Sequence, residues 1–131
     1  NVPRDDYNAS TWQPDMLVIY LGSNDFVNLF PPSEAEFKAG YSAMVKRMVD
    51  AHSSKVQVLH LCGMQATPCN YIKDFAARAG QNYSSTMDTE SAAGCVGHRD
   101  AKQQAALAAR IAPVIAKVGG WNNVNLNALL I

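Results

Sequence analysis

The 131-residue chain is long enough for one domain with a sizeable core, and its 48% apolar content suits a globular protein. Eleven Lys plus Arg balance 11 Asp plus Glu, which argues against the basic footprint of a nucleic-acid binder. No apolar run approaches the roughly 20 residues that span a bilayer. The chain opens Asn1-Val2-Pro3-Arg4 with neither initiator Met nor leader pattern, as a mature or trimmed chain does.

Residues 1–13 are polar and aperiodic, with Trp12 as the expected anchor against a sheet. Residues 16–21, M-L-V-I-Y-L, have the length and the β-branched and aromatic content of a strand buried on both faces. The run stops at Gly22-Ser23-Asn24-Asp25. In open α/β sheets the carboxyl ends of strands are where ligands bind. Gly22 permits unusual backbone or close approach. Asn24 carries an amide donor of the kind that stabilises an oxyanion, and Asp25 can fix the loop. Taken alone, the four residues read more readily as an Asn-Asp turn capping the next element.

Ser33-Glu34-Ala35-Glu36 is a capping box, and Phe37, Tyr41, Met44, Val45, Met48 and Val49 recur at helical spacing to about Ala51. His52 falls in an exposed connection. Residues 56–61, V-Q-V-L-H-L, form a second buried strand with His60 as a core histidine. Cys62-Gly63-Met64 follows at its carboxyl end, so Met64 is a candidate pocket wall. Residues 67–70 read as a turn and 71–79 as a short helix ended by Gly80. Residues 82–87 are a weaker strand candidate. Residues 88–97 are turn-prone and lead to His98. Asp100 N-caps an alanine-rich helix from Ala101 to about Val118, with Pro113 as a potential kink. The tail, 121–131, packs on a neighbouring surface or adds an edge strand.

Strand, helix, strand, helix, weak strand, helix is the order of an α/β domain with a parallel sheet and helices on its faces. The first strand reads as central. A long unpaired apolar edge invites aggregation, so it needs a neighbour that this chain does not clearly supply.

Three cysteines, Cys62, Cys69 and Cys95, form no C-x-x-C pair, which leaves little for zinc or thioredoxin chemistry. Cys62 and Cys69 are near enough in sequence to bridge a loop, and buried free thiols are the equal alternative. Asn8-Ala9-Ser10 and Asn82-Tyr83-Ser84 fit the N-glycosylation pattern, pointing to a secreted or lumenal setting.

Trp12-x-Pro14-Asp15-x-Leu17-Val18-Ile19-x-Leu21-Gly22-x-Asn24-Asp25-Phe26 resembles the third block of the SGNH (GDSL-like) hydrolases, closest to carbohydrate esterase family 2 acetyl esterases. Gly94-Cys95-Val96-Gly97-His98 is similar to their last block. The resemblance runs from about Trp12 to about Ala116. It implies a three-layer α/β/α, flavodoxin-like fold, with residues 1–131 as the C-terminal part of one such domain. It implies that Asn24 donates to the oxyanion hole and that His98 is the general base. Gly22, Asp25, Phe26 and Met64 then fall around the substrate, and neither metal nor cofactor is needed.

Two family features are missing. No Gly-Asp-Ser strand, source of the nucleophile, occurs in the sequence. The usual Asp three residues before the His is Cys95; Asp88 and Asp100 are the nearest substitutes, at unpersuasive spacing. The expected partner is therefore a second chain or N-terminal segment bearing Gly-Asp-Ser, with an acylated carbohydrate as ligand. The alternative is a catalytically inactive, hydrolase-like subunit with a structural or glycan-binding role.

Overall fold

The computed structural model describes residues 12–27, 29–53, 55–63, 66–88, 94 and 98–121. Met64, Asn8 and Cys95 lie outside them, as does the tail beyond Trp121. The elements, in chain order, are β1 (Met16–Ile19), a 3-10 turn (Asn24–Phe26), α1 (Glu34–Ala51), β2 (Gln57–Gly63), α2 (Ala66–Ala79), β3 (Tyr83–Asp88) and α3 (Ala101–Val118).

The three strands pair in parallel in the order β1-β2-β3. β2 is central and alternates between two helical layers. Val58 and Cys62 join Phe37, Tyr41 and Val45 of α1 and Ile72 of α2 on one face. Leu59 and Leu61 join Leu107 and Ile111 of α3 on the other. The architecture is α/β/α.

Local chemistry sets the helix starts. The Ser33 hydroxyl accepts from the Glu36 amide, while the Glu36 carboxylate accepts from the Ser33 amide at 2.9 Å. Asp100 and Gln103 make the same reciprocal pair at α3. Each box satisfies amides that a helix start leaves without partners.

Several expectations need correction. β1 ends at Ile19 rather than Leu21 and is an edge strand among the described residues. It is not buried on both faces: Val18 is 44% exposed. α3 packs on β2, so it leaves Val18 uncovered on that face. β2 runs on to Gly63, and β3 extends through Asp88, so Asp88 ends a strand rather than starting a loop. α2 begins at Ala66 and absorbs the expected turn at 67–70. Pro68 is tolerated there because amides in the first helical turn have no intrahelical acceptor. Trp12 stays mostly exposed and meets the His52 ring edge-on at 6.3 Å; His52 is half-buried rather than exposed.

Candidate active site

The carboxyl end of β1 with the loop after it, the first half of α1 and the segment before α3 enclose a cleft of about 580 Å³. Gly22, Asn24 and Asp25 line it from the loop after β1, and His98 lines it from the segment before α3. Residues from opposite ends of the sequence thus meet in one concavity. Asn24 and His98 are both exposed, so the amide and the imidazole are open to a ligand.

The loop after β1 has a defined path. Gly22 has φ +106°, and a Cβ there would lie 2.9 Å from the Phe37 ring. Phe37 is buried and stacked on Tyr41, so it has little room to yield. A side chain at position 22 meets both backbone strain and a clash. Ser23 Oγ donates to the Gly63 carbonyl at 2.9 Å, tying the loop to the end of β2. Asn24–Phe26 then form the 3-10 turn that presents Asn24.

Phe26 does not line the cleft. Its ring packs against Phe37 at 5.0 Å and Tyr71 at 6.1 Å, within the α1–α2 side of the core. Cys62 and Cys69 form a disulfide joining the end of β2 to the first turn of α2. Asn82 sits in the turn before β3, where its side-chain oxygen accepts from Gln57 Nε2 at 3.5 Å. That turn is at the amino end of a parallel strand, away from the cleft.

The His98 backbone is fixed from both sides. The Gly94 amide donates to the His98 carbonyl at 2.7 Å. A Cβ on Gly94 would fall 2.6 Å from that carbonyl oxygen and 2.9 Å from the Asp100 amide. Immediately beyond, the Asp100 cap begins α3.

Asp88 is paired within the fold. Its carboxylate is fully buried and held by Arg99, by Arg110 at 2.7 Å and by the Tyr20 hydroxyl, which donates at 2.6 Å. Burial, reinforced by the neighbouring Asp88 carboxylate, pushes the Tyr20 phenol above its ordinary value. Asp100 is committed to capping. Tyr20, Arg99, Tyr41 and Glu36 also line the cleft, and sequence reasoning assigned none of them to it. The available signals were a hydroxyl within the apolar run at Tyr20 and a cation directly after His98.

Among the described residues, no cluster of His, Cys, Asp and Glu is arranged to hold a metal, and no helix is long and apolar enough to cross a membrane. Residues 1–116 match the profile of the GDSL-like lipase/acylhydrolase family. The chain belongs to that family.

Two solved structures resemble this GDSL-like chain. One is a carbohydrate esterase family 2 enzyme plus carbohydrate binding domain from Corynascus thermopiles (Myceliophthora fergusii). It is 26% identical with a TM-score of 0.74, over 85% of this chain and 39% of that one. The other is a carbohydrate esterase whose active site displays divergent catalytic and non-catalytic binding functions. It is 20% identical with a TM-score of 0.69, over 86% of this chain and 41% of that one, a likeness of fold. The GDSL-like chain therefore spans about two-fifths of the length of each. No curated protein sequence matches it.

Proposed function

We propose that this chain forms part of a serine esterase that removes acyl groups, acetyl foremost, from carbohydrate. The observation that carries the reading is the meeting of Asn24 and His98 at one cleft beside the strand ends. A Ser on a Gly-Asp-Ser strand, from a preceding segment or a second chain, completes the site beside the open edge of β1.

The chemistry then runs in two halves. The Ser oxygen attacks the ester carbonyl carbon as His98 takes its proton. The Asn24 amide donates to the tetrahedral oxyanion. The intermediate collapses, the sugar oxygen leaves with the proton from His98, and an acyl-Ser remains. Water, deprotonated by His98, attacks that acyl carbon; the second tetrahedral intermediate collapses with cleavage of the acyl–Ser bond, His98 returns the proton to the departing Ser oxygen, and the carboxylic acid is freed. The disulfide suits an oxidising compartment, so we place the protein on the secretory route, with Asn8 and Asn82 as glycan acceptors.

The test is hydrolysis of p-nitrophenyl acetate and acetylated oligosaccharides by the full native protein. Asn24→Ala should lower kcat by about 10²–10³-fold. His98→Ala should lower it by at least about 10³-fold. Because the sequence itself contains no Gly-Asp-Ser, a second reading stands beside this one: an inactive, glycan-binding subunit. Absence of hydrolysis together with retention on acetylated glycan would establish that reading instead.

A further inference from the structure

Asp88 is the most deeply buried acid among the described residues, and the proposed reaction does not use it. It ends β3, while Tyr20 lies just beyond β1 on the far side of β2. Strands separated by one neighbour are roughly 9–10 Å apart, so a side-chain bridge must pass over the strand between them. Gly63 of β2, paired in register with Asp88, makes that crossing feasible. A Cβ on Gly63 would lie 2.7 Å from the Asp88 Cβ and 3.1 Å from the Tyr20 hydroxyl.

Arg99 closes the network. Its side chain is 4% exposed. One terminal nitrogen pairs with Asp88 Oδ2 and the other donates to the Tyr20 hydroxyl at 3.3 Å. A planar guanidinium spans two acceptors in a way that a lysine ammonium does not. Arg99 is the residue after His98, and both line the cleft. Anchoring Arg99 to the strand ends therefore also fixes the backbone that carries the imidazole. Arg110, from α3, holds the other Asp88 oxygen and has a partly exposed side chain.

We propose that Asp88, acting through Arg99, is the positioning residue that holds His98 at the cleft lined by Asn24. The proposal rests on His98 being the general base. Asp88 touches neither substrate nor the reacting proton; it sets where the imidazole sits.

The experiment compares Arg99→Met, Arg99→Lys and Arg110→Met in the full native protein, by ester hydrolysis and by the His98 ring-proton NMR signal. Displacing a catalytic group by about 1 Å can lower rates by about 10²-fold. Arg99→Met should lower kcat by about that factor, with KM within about twofold of wild type. Arg99→Lys should recover about tenfold of the loss. Arg110→Met, which breaks the pair on the helix side, should keep kcat within about twofold. A merely structural role predicts instead that the Arg99 and Arg110 variants lose activity alike, and that result overturns the proposal. If Arg99→Met does not fold, Arg99→Lys against Arg110→Met decides. If wild-type protein hydrolyses no ester, the esterase reading fails on its own. The NMR signal then decides the placement: it should shift or split in Arg99→Lys, and superposition on the wild-type signal overturns the proposal.

Discussion

His60 shows how one buried residue ties stability to pH. It is completely buried, shares a 2.8 Å hydrogen bond with the Tyr41 hydroxyl and stacks on Tyr83 at 6.1 Å, with Phe75 edge-on. Burial holds its pKa down to about 4, against 6.5 for a free imidazole. Between those values the unfolded chain binds a proton that the folded protein excludes. Stability contributed by neutral His60 is thus complete above about pH 6.5 and is lost as pH falls towards 4. The difference is worth roughly 3 kcal/mol over the window. Urea unfolding at pH 7, 5.5 and 4.5 checks it. Wild type should lose about that much more than His60→Gln, and parallel pH slopes would refute the assignment. The same burial explains why a histidine inside an apolar strand reads correctly as core from sequence. Phe26 packs against Phe37 and Tyr71; an aromatic beside a motif can face a pocket or a core, and only packing separates the two.

At the scale of elements, α2 is where local signals mislead. Thr67-Pro68-Cys69-Asn70 carries turn formers, yet it forms the first helical turn. The disulfide from Cys62 pins that turn to β2 across seven positions in sequence. Closing so short a loop in the unfolded chain contributes about 2–3 kcal/mol. Reduction, or joint Cys62→Ala and Cys69→Ala, should lower the unfolding free energy by that amount. Amide exchange should also rise in the first turn of α2. Unchanged unfolding under reductant would mean that the bridge holds nothing that packing does not already hold. By contrast, α1 and α3 were legible to within a residue, because their capping boxes are written in consecutive positions. The Tyr20, Asp88, Arg99 and Arg110 network was not legible. Its members come from two strand ends, a loop and a helix, and no spacing pattern joins them.

For the molecule as a whole, the decisive feature is the uneven cover of its sheet. β2 is packed on both faces, whereas β1 has an open pairing edge among the described residues and leaves Val18 exposed. The loop after that strand carries Asn24 into the cleft. An additional strand on this edge would pair its backbone and bring its own carboxyl end beside Asn24 and His98. Under the proposed function, one such parallel strand would supply both the neighbour of β1 and the nucleophilic Ser. The most direct test is fluorophosphonate labelling of the full native protein, followed by peptide mapping of the modified residue. The account predicts a labelled Ser within a Gly-Asp-Ser segment outside these 131 residues, with labelling lost in His98→Ala. No labelled Ser, or one labelled at a Ser within this sequence, would contradict it.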